Sequence, residues 1–241
     1  MAETTYLPGI ESPGSDSLDF PRHSAFVRIT HWITAASFFA LLVSGIAILI
    51  AHPRLYWGET GGIGAPSLID LPIRLKLGHS GWGRYLHFLS AWICVLTGVA
   101  YALVGCFTRH FRKNLLPARA DLSWGQASRI ILSYLWFQRP ADEGSLTYNL
   151  PQRLAYLAVI FVLFPLVILT GFAMSPGITS VFPLVVNVFG GQQSARTIHF
   201  FVSVLLVLFL FVHIVMVFRA GFRNRVWAMI TGHTAAGKEP T

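Results

Sequence analysis

The chain has 241 residues, 54% of them apolar and only 12% charged, against about a quarter charged in an average soluble domain. That composition excludes an ordinary soluble enzyme. Two cysteines, Cys94 and Cys106, are too few for a disulfide framework, a four-thiolate iron–sulfur cluster or covalent haem attachment through a Cys-x-x-Cys-His element.

Residues 1–21 carry four acidic side chains, Pro8, Gly9, Pro13 and Gly14, with no hydrophobic run. They read as a flexible tail and not as a cleavable signal peptide. Four stretches free of Asp, Glu, Lys and Arg follow, at 29–50, 85–107, 154–174 and 197–218. Each is long enough to cross about 30 Å of hydrocarbon at 1.5 Å per residue. The predicted fold is therefore all-α: an integral-membrane four-helix bundle over residues 22–225, with a second tail at 226–241. Shorter interfacial elements are expected at 129–137 and, as an apolar cap, at 181–189. The thirty-odd residues between spans one and two, rich in glycine and proline, offer a docking surface.

Orientation follows from charge. With both termini on one side, that side holds thirteen of the eighteen Lys and Arg residues; the other holds Arg54, Arg74, Lys76, Arg84 and Arg196. The positive-inside rule then puts both termini in the cytoplasm.

Nine histidines are present. His23, His52, His79, His110 and His233 fall outside the spans and are given no role. The other four lie within them, where a polar residue is a functional candidate by default. His31 opens span one at the cytoplasmic level and His213 lies near the cytoplasmic end of span four. His87 and His199 lie just inside the external starts of spans two and four. On span four the two histidines are 14 residues apart, about 21 Å along the helix and only about 40° around it.

One face therefore serves both levels. Two imidazoles from facing helices are suitable axial ligands for one haem iron, so two pairs would bind two haems b stacked across the bilayer. Gly45 at the outer level and Gly98 at the inner level would let a flat ring approach the backbone. The competing readings are interhelical hydrogen bonding by single histidines and a zinc site, which wants four close ligands. A proton relay or transporter would normally place carboxylates in the spans, and these hold none. Nothing suggests a nucleic-acid partner.

The residues resemble the di-haem cytochrome b membrane subunits of bacterial respiratory oxidoreductases. These include the formate dehydrogenase gamma subunit and the cytochrome b subunits of nickel–iron hydrogenase and thiosulfate reductase. The resemblance covers about residues 22 to 220. It rests on Arg28-Ile-Thr-His31-Trp32 and Ser44-Gly45 in span one, His87 in span two, and Tyr148-Asn149-Leu-Pro-Gln152-Arg153 before span three. Thr170-Gly171 near the end of span three, His199 and His213 complete it.

The resemblance implies that spans one and four ligate the inner haem and spans two and four the outer one. It implies an exchangeable quinone held by Asn149 and Gln152 near His213, although Asn149 could equally cap the helix. It also implies a partner subunit at the external face, a molybdopterin or iron–sulfur protein, that carries substrate catalysis. The loop around His52-Pro-Arg-Leu-Tyr-Trp57 is closer to the thiosulfate reductase type. Arg28 at the inner ring, and Arg84 or Arg196 at the outer one, could bind haem propionates; interfacial snorkelling is the alternative. The rival functions are a non-redox membrane anchor or transporter subunit, and a stand-alone quinol oxidoreductase serving a soluble carrier.

Overall fold

The computed structural model describes residues 24–61, 64–72, 81–108 and 150–233. In chain order these form α1 (Ala25–Ala51), β1 (Arg54–Leu55), β2 (Ile69–Asp70) and α2 (Trp82–Phe107). After them come α3 (Leu150–Ala158), a π-helical turn (Val159–Leu163), α4 (Phe164–Ala173), α5 (Pro176–Thr179), α6 (Leu184–Val188), α7 (Gln192–Arg219) and α8 (Phe222–Thr231).

The four-helix membrane architecture expected from the sequence is present. Among the described residues, four helices are long and apolar enough to cross a bilayer: α1, α2, the third span over Leu154–Ala173, and α7. Each observed helix overruns at least one end of its charge-free stretch, because a helix continues into the polar interface until something caps it. At the start of α1 that is Ser24, whose Oγ accepts from the Val27 amide at 3.4 Å. Arg28, Arg84, Arg196 and Arg219 consequently lie inside helices.

The bundle is inside-out relative to a soluble protein. Large apolar side chains such as Phe39, Leu96 and Phe211 stay about two-thirds exposed, whereas Ser37, Ser44, Ser90 and Thr170 are buried. Lipid tails are as apolar as leucine, so apolar surface gains little by turning inward. Helices instead meet through small residues that let backbones approach. Thus α1 packs along α2, and α4 along α7. A Cβ added at Gly83 of α2 would stand only 3.2 Å from the Ala47 Cβ of α1. A small apolar core of Val159, Val202 and Leu206, with Phe38 and Phe164 against it, joins the third span to α7.

The third span is not a uniform α-helix. Pro165 has no N–H to give the Phe161 carbonyl, and the chain widens just before it: the Phe164 amide bonds to the Val159 carbonyl, five residues back.

Between α1 and α2, the segment containing Tyr56 and Gly58 is clamped onto α7. β1 and β2 pair antiparallel, Arg54 opposite Asp70. The Gly58 carbonyl accepts from the Gln193 and Ser194 amides and so caps the start of α7. Ser194 Oγ accepts from the Gly58 amide at 2.7 Å, and Thr197 Oγ1 donates to the Tyr56 carbonyl at 2.6 Å. Gly191, at φ +116°, must be glycine twice over, since a Cβ would also fall 2.4 Å from the Gly58 carbonyl oxygen. Of the expected interfacial elements, 129–137 lies outside the described residues, while α6 falls within the apolar cap at 181–189. The tail expected from residue 226 begins inside α8, which runs on to Thr231.

Candidate functional site

Two clusters of side chains occupy opposite ends of the bundle. The loop end is where α1 and α4 finish and α2 and α7 begin. The tail end is where α1 begins, α7 finishes and α8 turns back.

At the loop end His87 of α2 faces His199 of α7, ring centroids 6.3 Å apart and planes at 62°. Each ring is held by the helix packed beside its own. Ser44 Oγ of α1 stands 3.0 Å from His87 Nδ1, and Thr170 Oγ1 of α4 stands 3.0 Å from His199 Nδ1. The next residue on each supporting helix is a glycine. A Cβ at Gly45 would lie 3.6 Å from His87 Cε1, and one at Gly171 would lie 3.7 Å from His199 Cε1. The two halves of the bundle thus repeat one device: a hydroxyl–glycine step on one helix cradles a histidine on its neighbour.

At the tail end His31 of α1 faces His213 of α7 at 6.4 Å with planes at 55°. Aromatic rings flank this pair. Trp32 meets His31 edge-on at 5.5 Å, Phe209 stacks on His213 at 6.0 Å, and Tyr156 stands edge-on to Phe209. Trp32 Nε1 and Arg28 Nη1 reach over to α8, donating to the Met229 and Ile230 carbonyls at 3.1 and 2.6 Å.

The spacing of each pair fits a metal held between them. An imidazole–metal bond of about 2 Å, with roughly 1 Å from nitrogen to ring centre, sets two trans imidazoles about 6 Å apart between centroids. A ring bonded through a nitrogen would contain the bond axis in its plane, so rotation about that axis would permit tilts such as 55° and 62°. Histidines arriving in twos suit an iron whose other four positions belong to a macrocycle, and do not complete a tetrahedral zinc site. Among the described residues no three His, Cys, Asp or Glu side chains come together as a metal site.

The remaining expected residues divide. Gly45 adjoins His87, whereas a side chain at Gly98 would meet nothing within 4 Å. Arg28 is engaged with α8. Arg196 donates to the His52 carbonyl at 2.6 Å and lines a cavity of about 680 Å³ with Tyr56, Arg54 and Asp70. The Asp70 carboxylate, 3.1 Å from Arg54 Nε, raises the arginine's pKa above its ordinary value. Arg84 is exposed in the first turn of α2. Asn149 lies outside the described residues, and Gln152 falls in the first turn of α3. Ser44, Thr170 and Gly171 were missed as site residues; the signal was the hydroxyl–glycine dipeptide recurring on spans one and three.

A four-helix membrane protein with facing histidine pairs near both ends is the architecture of a haem b electron carrier. The family model described as prokaryotic cytochrome b561 matches residues 22–232, and the chain belongs to that family. Membership implies haem b as the redox group and electron transfer in the membrane as the activity. The chain is also similar to "Putative protein-methionine-sulfoxide reductase subunit YedZ1" of Azospira oryzae, 29% identical over 219 residues, covering 88% of this chain and 96% of that protein. No solved structure matches it.

Proposed function

We propose that the chain carries electrons across a bacterial inner membrane through two haems b, one held by His31 and His213 and one by His87 and His199. It would exchange them with quinone at the tail end and with a redox subunit docked at the loop end. The observation that carries this reading is the spacing of the two pairs, 6.4 and 6.3 Å between ring centroids. Each haem supplies a one-electron couple. The protein's own residues fix the ligating rings, keep water away with surrounding hydrocarbon and set the separation along α7, about 21 Å between the two ligand levels. The arginine and lysine distribution supports cytoplasmic termini, so the tail end faces the cytoplasm and the loop end the exterior.

Asn149, the residue before α3 in sequence, and Gln152, in its first turn, are the proposed quinone contacts. Their amides can hydrogen-bond quinone oxygens beside cytoplasmic water that exchanges protons. The YedZ1 name supports a reductase direction. In that reading, quinol gives up two electrons and two protons at the tail end. The partner's substrate, a methionine sulfoxide in protein, takes up two of each to become thioether and water. Catalysis on that substrate belongs to the partner. The segment around Tyr56 and Gly58, clamped onto α7, would offer it a fixed surface.

Reduction by a quinol analogue tests the proposal. The protein in vesicles should show b-type alpha and Soret bands that reduce on addition of quinol, and Asn149→Ala should slow that reduction while leaving both haem spectra intact. An unchanged rate would place the pocket elsewhere, and a colourless protein from haem-replete cells would leave the non-redox anchor standing.

A further inference from the structure

We infer that Ser44 and Thr170 are positioning residues that fix both loop-end imidazoles in one tautomer and hold down the potential of the haem between them. The inference rests on the reading of His87 and His199 as axial ligands.

A hydroxyl has a single proton to give. Ser44 Oγ lies 2.7 Å from the Ala40 carbonyl and 3.2 Å from the Leu41 carbonyl of its own helix. Thr170 Oγ1 lies 2.8 Å from the Leu166 carbonyl and 3.0 Å from the Val167 carbonyl. Carbonyls only accept, so each hydroxyl proton is committed to the backbone, and only a lone pair remains for the histidine. With the hydroxyl protons given to the backbone carbonyls, the donor role is assigned to His87 Nδ1 and His199 Nδ1, each 3.0 Å away. Both rings are N–H at Nδ1 and carry their free lone pair at Nε2, the atom a metal needs.

No water competes for these bonds, since Ser44 and Thr170 are both 0% exposed. The glycine after each hydroxyl completes the device. Gly45 and Gly171 admit the imidazole edge to ordinary contact distance, 3.6 and 3.7 Å from a Cβ position, where a branched side chain would push the ring off its hydroxyl. An imidazole packed only for structure could use either tautomer. Here two histidines from different helices are locked in the same one, by the same dipeptide, on either side of one gap.

The consequence is electronic as well as geometric. A hydrogen bond from Nδ1–H to an acceptor shifts electron density toward Nε2, makes the imidazole a stronger donor and favours the oxidised iron. A neutral hydroxyl does this more gently than a carboxylate would. Removing it should tilt the couple toward the reduced form and raise the potential of that haem alone.

The experiment is a spectroelectrochemical titration, with low-temperature EPR, of the full-length protein carrying Ser44→Ala, Thr170→Val or Thr170→Ser. For Ser44→Ala and Thr170→Val we expect the loop-end haem to titrate higher, by up to about tenfold in the oxidised-to-reduced ratio, or about 59 mV for a one-electron couple. Its ferric EPR line should move while the tail-end haem keeps its own. Thr170→Ser, which restores the hydroxyl, should return both to wild-type values. Loss of the loop-end haem in Thr170→Val with retention in Thr170→Ser would also support the assignment. Unchanged potential and line shape in Ser44→Ala and Thr170→Val would overturn it, as would equal shifts in Thr170→Val and Thr170→Ser. The underlying ligand reading fails separately, if His87→Ala keeps both haems.

Discussion

The two ends of the bundle present the same pair of imidazoles at nearly the same spacing, 6.3 Å at the loop end and 6.4 Å at the tail end, in different surroundings. At the loop end each ring meets a buried hydroxyl from the helix beside it. Above that level the segment containing Tyr56 and Gly58 is bonded to the first turns of α7. At the tail end the rings meet Trp32 and Phe209, and the covering element is α8, tied by the Trp32 and Arg28 side chains. The buried hydroxyls hold the loop-end rings by directed hydrogen bonds, which fix rotation and tautomer, and at the tail end the Phe209 ring stacked on His213 fixes that ring's position. Under the proposed function, the loop end would hold its rings still beside a docked partner, and the tail end would meet an exchangeable quinone.

The sharpest way to break this comparison is to remove a ligand. His87→Ala should abolish the loop-end haem and leave the tail-end spectrum, and His213→Ala should do the reverse; haem per chain, measured by pyridine haemochrome, should halve in each. Loss of both haems from a folded His87→Ala protein would show that the ends are not independent. Next in size is the clamp. Gly191→Ala meets the Gly58 carbonyl and a left-handed φ, a strain of about 1–3 kcal/mol, so the melting temperature in detergent should fall and the loop-end haem should broaden first. Thr197→Val leaves the buried Tyr56 carbonyl without its hydroxyl partner, which costs about 1–3 kcal/mol, again read as a lower melting temperature.

A smaller effect is expected at the other end. Trp32→Phe gives up one bond to α8, about 0.5–1.5 kcal/mol; proteolysis near residue 222 should quicken while the loop-end haem is unmoved. Smallest of all is Asp70→Asn. It removes an ion pair more than half exposed on both sides, and no measurable change in melting temperature is expected.

The spans were legible because hydrocarbon imposes a length and excludes charge, so α1, α2, α7 and the third span appear as charge-free runs. The histidine pairs were legible for a related reason. Depth in a membrane helix is proportional to residue number, and His199 and His213, 14 apart, fall on nearly one face. What could not be read is whatever depends on a distant partner. Ser44 lies 43 residues from the ring it holds, so the hydroxyl–glycine step it shares with Thr170-Gly171 marks the position without naming its partner. The Gly58 carbonyl that caps α7 is main chain, so no side-chain motif announces it. The return of α8 onto α1 straddles residue 225, where the bundle was expected to end, and its bonds to Trp32 and Arg28 run to main-chain carbonyls that no motif announces. The π-helical turn before Pro165 is the local response that a missing amide demands, and the expectation of an unbroken third span did not include it.

The most direct measurement is haem content and ligation on one purified sample: pyridine haemochrome for haem b per chain, with EPR of the oxidised protein. Two haems b per chain, both with low-spin signals of paired imidazole ligation, are the expected result. A single haem, or a high-spin signal accounting for half the iron, would contradict the assignment of one haem to each histidine pair.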